Sequence, residues 1–276
     1  MAINKKTYFL SDVHLGAASH VKNVAEKKFE VLALPSRKKN EGSYNPKHDV
    51  ERKLCRWFDT VKSDAGAIYL LGDIFDYWFE YKYVVPRGFT RVLGKIAELT
   101  DAGIEIHFFI GNHDIWLTDY LEKECGMIIH TQPLIRDING RKFFLAHGDG
   151  LGDDSKSFKI IRSVFHNRLC RKLFASIHPR WTVSFACKWS VHSRESGKMD
   201  DYLGEDKEHL VQFAKKHLKA APNINFFVFG HRHIMLDLMI ASSCRIIILG
   251  DWLSYFSYAV FDGQNMALEI FDENVK

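Results

Sequence analysis

An α/β fold is the class this sequence predicts, on three observations. Short apolar runs rich in β-branched and aromatic residues alternate with longer amphipathic stretches. The chain has 276 residues, enough for one large domain or for a domain carrying an insertion. A basic, helix-patterned segment breaks the alternation once, between Ser155 and His192. The runs Thr7–Leu10, Ala67–Leu71, Glu105–Ile110, Lys142–Ala146, Ile224–Phe229 and Arg245–Leu249 read as strands. Asp49–Val61, Phe89–Ala102 and Glu205–Lys219 carry apolar residues three and four apart and read as helices. Gln132–Ala146 has the pattern of a hairpin around Asp137–Gly140, so the expected sheet is mixed rather than purely parallel. The organisation expected is a single domain over residues 1–276 with a helical cap inserted at 155–200. Ala17–Lys47, basic and carrying Gly42 and two prolines, reads as a long loop.

Hydrophobic residues at 46% and charged residues at 26% are ordinary globular usage and argue against a disordered or low-complexity chain. No apolar run reaches the roughly 18 residues of a spanning helix, and Met1–Leu10 lacks a signal-peptide pattern, so a cytoplasmic protein is expected. The cysteines at 55, 125, 170, 187 and 244 are odd in number and form no CxxC pair. They suggest neither a disulfide framework nor a zinc ribbon, and each reads as a small buried hydrophobe in a reducing compartment. Charge is unevenly placed: from Ser155 to Lys198 ten basic residues face one acid, Glu195, and this +9 leaves −5 for the rest of a chain whose total is +4. Such a segment meets something anionic, whether a phosphate-bearing substrate, nucleic acid or an acidic membrane surface.

The chemistry lies just past the strands. Ser11-Asp12-Val13-His14, Gly72-Asp73-Ile74-Phe75-Asp76, Gly111-Asn112-His113-Asp114, His147-Gly148-Asp149 and Gly230-His231-Arg232-His233 each follow an apolar run. Ligands of open α/β sheets bind outside the carboxyl ends of the strands, so these five clusters are expected to converge. In an extended loop, residues i and i+2 project to one side, which would let Asp12 and His14, or His231 and His233, grip one ion together. The glycines at 72, 111, 148 and 230 would let backbone turn sharply or approach closely beside them. Asp12, His14, Asp73, Asn112, His147, His231 and His233 make seven candidate ligands, too many for one tetrahedral site and enough for two ions sharing a carboxylate. Imidazole, carboxylate and amide oxygen together suit manganese, iron or zinc. Two ions about 3.5–4 Å apart form the clamp used for in-line displacement at phosphorus, so phosphoester or phosphoanhydride hydrolysis is the reaction class expected.

Taken in order, DxH, GDxxD, GNHD, HGD and GHxH resemble the calcineurin-like metallophosphoesterase superfamily from Asp12 to His233. The resemblance implies a four-layer sandwich of two mixed β-sheets flanked by helices, with two divalent ions, manganese by expectation. It implies a first metal held by Asp12, His14, Asp73 and His233, and a second by Asp73, Asn112, His147 and His231, with Asp73 bridging. His113, paired with Asp114, would sit near the leaving oxygen as general acid or charge stabiliser. Asp76 and Asp149 would orient ligand imidazoles.

Substrate choice turns on the cap. His147-Gly148-Asp149-Gly150-Leu151-Gly152-Asp153-Asp154, then Phe158, Arg162, His166 and Leu173-Phe174, with Ser193-Arg194-Glu195 near the cap's end, resemble the UDP-2,3-diacylglucosamine pyrophosphohydrolases of lipid A synthesis. Gly72-Asp73-Ile74-Phe75-Asp76-Tyr77-Trp78 and Leu249-Gly250-Asp251-Trp252 are similar to that family too. The resemblance implies cleavage to UMP and lipid X, with substrate contacts at Asn112, His113, Asp154, Ser193, Lys198 and His231. His113 departs from it, standing where the family commonly carries arginine.

Phe158, Ile161, Phe165, Leu169, Leu173 and Ile177 recur three and four apart among lysines and arginines. Such a stripe either packs on the body as helix core or serves acyl chains and an anionic membrane surface, and Trp181, Phe185 and Trp189 would extend it. The partners expected are a nucleotide-lipid substrate and the cytoplasmic face of the inner membrane, bound peripherally; no nucleic acid and no obligate protein partner are expected. The rival readings are a phosphodiesterase or nucleotide-sugar pyrophosphatase acting on a soluble substrate, and a nucleic-acid-binding protein or nuclease using the basic segment. The second lacks a recognisable reading motif, and its aromatics fall at helical core spacing. A scaffold with a dead site sits poorly with seven intact ligands.

Overall fold

Alternate side chains along the strands sort into three apolar layers, and these define the architecture. A computed structural model describes residues 5–17, 49–152, 163, 165, 167–179, 181–183 and 202–272. One sheet contains β1 (Lys6–Leu10), β2 (Ala65–Leu71), β3 (Glu105–Phe109), β4 (Ile128–His130), β10 (Ser257–Phe261) and β11 (Met266–Ile270), in the order β11-β10-β1-β2-β3-β4. Its β1 to β4 run parallel, and β10 and β11 are antiparallel. The second contains β5 (Leu134–Ile138), β6 (Arg141–Leu145), β7 (Phe226–Phe229), β8 (Met235–Ala241) and β9 (Cys244–Leu249), in the order β5-β6-β7-β9-β8. There β6, β7 and β9 are parallel, flanked by antiparallel β5 and β8.

Phe9, Tyr69, Leu71 and Phe109 of the first sheet meet Phe143, Leu145, Val228 and Ile247 of the second in one buried layer. The intervening residues Leu10, Ile68, Leu70 and Phe108 face the other way, onto α1 (Asp49–Val61), α2 (Thr90–Asp101) and α3 (Tyr120–Cys125) through Trp57, Phe58, Ile96 and Leu121. Phe144, Phe227, Phe229 and Ile248 likewise cover Leu210, Val211 and Ala214 of α5 (His209–Ala220). The order is helix, sheet, sheet, helix. It explains why the parallel strands read as continuous apolar runs, since both faces are buried. The expected hairpin is present as β5 and β6, paired from Leu134 with Leu145 to Ile138 with Arg141.

Of the cap, the described part contains α4 (Arg168–Ala175), begun by Asn167, whose side chain accepts from the Leu169 and Cys170 N–H groups. Phe174 packs on Phe79 and Trp116 of the body, at 5.1 and 4.7 Å between ring centroids. α4 has no buried residue: Leu169 is 64% exposed and Leu173 60%, so at these two positions the predicted stripe is not helix core. Trp181 is 71% exposed. Phe158, Phe185, Trp189 and all but Ala17 of the loop expected at Ala17–Lys47 lie outside the described residues. No helix among the described residues is long and apolar enough to cross a membrane.

Candidate metal centre

Six parallel strands release their chains at one edge: β1 into Asp12 and His14, β2 into Asp73 and Asp76, β3 into Asn112 and His113. From the other sheet β6 leads into His147, β7 into His231 and His233, and β9 into Asp251. The loops are not extended as expected. Asp12 (φ 53°), His14 (48°), Asp73 (53°), His231 (69°) and His233 (53°) all lie in the left-handed region. Each such position costs a side-chain-bearing residue on the order of 1 kcal/mol or more, which the surroundings must offset. Backbone bonds do so: Asp12 donates to Gly72, His14 to Asp73, and Trp252 to Asp12, at 2.9–3.1 Å. Close approach does the rest. A Cβ on Gly111 would collide with the Asp73 carboxylate, and one on Gly230 with the Asp12 carboxylate and Ser11 Oγ.

Two groups of donor atoms result. His14 Nε2 and His233 Nε2 lie 3.3 Å apart, with Asp12 Oδ1 at 3.9 and 3.4 Å from them. His147 Nε2 lies 3.3 Å from Asp73 Oδ2 and 3.2 Å from Asn112 Oδ1, and His231 Nδ1 lies 3.1 Å from the same amide oxygen. Asp73 Oδ2 is also 3.9 Å from His14 Nε2, so it stands between the two groups, while its Oδ1 accepts from the His113 N–H at 2.9 Å. All seven predicted ligands come together.

The chemistry of these atoms fits cations. His14 and His233 turn Nδ1 toward Asp76 and Asp251, at 3.3 Å each, and His147 Nδ1 donates to the Leu71 carbonyl at 2.8 Å. A neutral imidazole with its proton on Nδ1 presents a lone pair at Nε2. The His14 and His233 lone pairs therefore converge on each other and on Asp12, while that of His147 meets the Asp73 carboxylate and the Asn112 amide oxygen. Asp12 Oδ1 is buried with no hydrogen-bond partner. Burial lowers His14 and, more strongly, His231; burial acts the same way on His147 and His233, yet Asp73 drives His147 well above its usual value and Asp12 raises His233. The carboxylates thus demand positive charge where a cation would supply it.

Asp76 meets the expectation of a residue orienting an imidazole, and Asp149 adds negative charge near His147. Asp114 is placed differently from its predicted pairing with His113. Its carboxylate is fully buried and accepts from the N–H groups of Gly111 (2.7 Å), Ile74 (2.9 Å), Phe75 (3.3 Å) and Asp73 (3.4 Å), clamping the loop after β2 to the loop after β3. His113 instead sets Nδ1 3.1 Å from the Asp76 carbonyl, its ring edge-on to His14. Asp251 has a role the motifs did not disclose. Burial would raise its carboxyl, but bonds from His233 and from the Ser254 and Tyr255 N–H groups hold it below the ordinary range. Its signal was the sixth strand end, Leu249-Gly250-Asp251. Asn112 and His231 stand at the centre, whereas Asp154, Ser193 and Lys198 lie outside the described residues.

This four-layer fold, with carboxylate and imidazole loops at the ends of parallel strands, is that of a metallophosphoesterase. Residues 5–235 match the family model of the calcineurin-like phosphoesterases, and the chain belongs to that family. Among curated proteins it is 42% identical to the UDP-2,3-diacylglucosamine hydrolase of Porphyromonas gingivalis, covering 98% of this chain and 99% of that one. The UDP-2,3-diacylglucosamine hydrolase of a Neisseria meningitidis strain is 27% identical over 94% of this chain and 95% of its own. Among solved structures, a dimetal phosphatase from Danio rerio aligns over 96% of this chain and 95% of its own, with a TM-score of 0.42 and 12% identity.

Proposed function

We propose that this protein hydrolyses the pyrophosphate of UDP-2,3-diacylglucosamine to UMP and 2,3-diacylglucosamine 1-phosphate, lipid X, in lipid A synthesis. The observation that carries this reading is the 42% identity, over nearly the whole of both chains, to a UDP-2,3-diacylglucosamine hydrolase. Asp12, His14, Asp73 and His233 would hold one manganese ion and Asp73, Asn112, His147 and His231 a second, a set that the grouping of these donor atoms supports. Two bound ions supply an activated water and neutralise charge developing at phosphorus.

The remaining work falls to the chain. Asp76, Asp251 and the Leu71 carbonyl fix the ligand rings, so that Nε2 faces inward before substrate arrives. The His113 N–H holds the bridging carboxylate in register. With Nδ1 donating to the Asp76 carbonyl, His113 would serve the departing phosphate oxygen through Nε2 as the imidazolium, the form that carries a proton there to donate. Asp114 acts through the two loops it clamps and touches no reacting atom. Water oxygen joins one phosphorus and the bridging oxygen leaves with the other; of the water's two protons one passes to the departing oxygen and one to solvent. Asn112, His113, Asp154, Ser193, Lys198 and His231 contact the substrate. The cap at 155–200 is an insertion within one domain, and its exposed Leu169, Leu173 and Trp181 meet acyl chains and the cytoplasmic face of the inner membrane.

The test strips the protein of metal, restores manganese, and compares UDP-2,3-diacylglucosamine with UDP-N-acetylglucosamine and bis(4-nitrophenyl) phosphate. UMP release from the acylated substrate, with little or none from UDP-N-acetylglucosamine, is expected. Turnover of the soluble compounds alone would overturn the lipid reading and leave a phosphoesterase of another substrate class.

A further inference from the structure

The loop after β7 serves both groups of donor atoms. His231 belongs to the second group and His233 to the first, so Arg232, the residue between them, stands where both imidazoles can be set at once. Its guanidinium is buried against Glu208, with Nε donating to Oε1 at 2.8 Å and Nη2 to Oε2 at 3.1 Å. A bidentate pair of this kind fixes direction as well as distance. Glu208 occupies the N-cap position of α5, yet its side chain makes no bond to the first turn of that helix. Its backbone N–H donates to the Gly204 carbonyl at 2.9 Å, and α5 is seated on the second sheet through Leu210, Val211 and Ala214. The carboxylate therefore offers Arg232 a fixed anchor.

Stability alone is a weak reason to bury these two charges, because an apolar pair of similar shape often holds a fold as well or better. The backbone of the loop supplies a stronger one. The Arg232 N–H donates to the Gly230 carbonyl at 2.8 Å across His231, whose φ is 69°. A bond from residue i+2 back to residue i around a positive φ is the mark of the rare, strained γ-turn. His233 follows at φ 53°. Such backbone persists only where its neighbours over-determine it. Asp76, Asp251 and the Leu71 carbonyl orient the rings of His14, His233 and His147 from behind. Among the described residues no group hydrogen-bonds the far side of the His231 ring, so its direction follows its backbone, which the Asp12 carboxylate holds by accepting the His231 N–H at 2.9 Å.

We infer that Arg232 and Glu208 are positioning residues for both ions: their buried pair ties the strained loop after β7 to α5, and so aims His231 at one ion and His233 at the other. They act through the two imidazoles. The inference rests on the two-ion reading of the centre and is independent of the lipid substrate, so a parent protein that binds two ions yet leaves UDP-2,3-diacylglucosamine intact would fail the lipid reading alone.

The test strips the full-length protein of metal and titrates it with manganese. Calorimetry follows binding, electron paramagnetic resonance follows magnetic coupling between the ions, and a thermal melt of the metal-free form follows the fold. The parent is expected to bind two ions and show the coupled signal; fewer than two would end the two-ion reading and this assignment with it. Arg232→Met combined with Glu208→Leu replaces the pair by apolar side chains, so the metal-free melting temperature should stay within about 4 °C of the parent's. Manganese affinity should nevertheless fall about 10–100-fold, and the coupled signal should weaken. Arg232→Lys keeps a charge for Glu208 while giving up the planar fork, and should lose about three- to tenfold in affinity with the melt unchanged. Parental affinity and coupling in both variants would overturn the assignment. So would an affinity that falls only in step with a melting temperature lowered by more than about 10 °C, since the pair would then be a structural element.

Discussion

Asp12 and Leu169 both belong to the proposed reaction, and their surroundings differ in every respect. Asp12 is fully buried, left-handed at φ 53°, bonded through its backbone to the next strand's loop and to Trp252, and pressed by Gly230. Leu169 is 64% exposed on a helix with no buried residue. Around the metals, surrounding structure over-determines each side chain, and that sustains backbone conformations a free loop would leave. On the cap, Leu169 and Leu173 are exposed on a helix that Phe174 and Arg171 anchor to the body through Phe79, Trp116 and Thr118. The comparison predicts that damage near Asp12 reaches metal and fold together, whereas damage near Leu169 spares the fold and reaches only the substrate contacts proposed for the cap.

The largest effect is expected where both groups of donors depend on one atom. Asp73→Ala removes the oxygen between His14 and His147 and should lower kcat/KM by about 10³-fold or more. Metal analysis should find fewer than two ions per chain. Ordinary turnover by this variant would end the two-metal account. Gly111→Ala attacks the same carboxylate from behind, because the added methyl meets Asp73, and should cost about 1–3 kcal/mol of stability as well as metal.

A smaller loss is expected one shell out. Asp251→Asn keeps the shape while removing the charge that faces His233 Nδ1, and metal affinity should fall about 10–100-fold. A chelator titration measures it. An unchanged affinity would mean that the ring is held well enough by packing alone, and the contrast with the cap would lose one of its supports.

The six parallel strands at the site were legible because burial on both faces leaves a continuous apolar run, and the loop residues that follow them were legible by type. The backbone that joins them was not. Asp-x-His reads as extended chain, yet Asp12 and His14 converge through two left-handed turns stabilised by long-range bonds. β4 has three residues and α3 six, too short for a period to register. β8 exposes Met239 at the edge of its sheet, and β10 and β11 form an edge hairpin, so their signals are diluted. α5 starts at His209 rather than at the predicted Glu205. Glu208 is instead committed to a buried bidentate pair with Arg232, at 2.8 and 3.1 Å, between two proposed ligands.

The cap side of the comparison predicts a change without a fold penalty. Leu169→Ser with Leu173→Ser removes exposed apolar surface, and each should shift stability by no more than about 0.5 kcal/mol. KM for UDP-2,3-diacylglucosamine should nevertheless rise about tenfold, since acyl chains lose apolar partners. A drop in melting temperature with an unchanged KM would reverse the assignment, making the stripe structural and the substrate's acyl chains bound elsewhere.

The smallest effect probes how far over-determination extends from the metals. His130 is drawn down to about 4 by burial, against an ordinary value near 6.5. Below pH 6.5 the unfolded chain takes up a proton that the folded one refuses. Stability is therefore present in full above about 6.5 and is lost as pH falls toward 4. His130→Phe keeps the ring against Phe109 and removes the proton acceptor, so parent and variant should diverge over that window by about 1–2 kcal/mol, after discounting for solvent at a half-buried site. Urea denaturation at matched pH measures the difference, and the subtraction cancels what the metal ligands contribute to both. Parallel curves would mean that His130 titrates as a solvent-exposed histidine, and the ordering that surrounds the metal ligands would then stop short of its ring on Phe109.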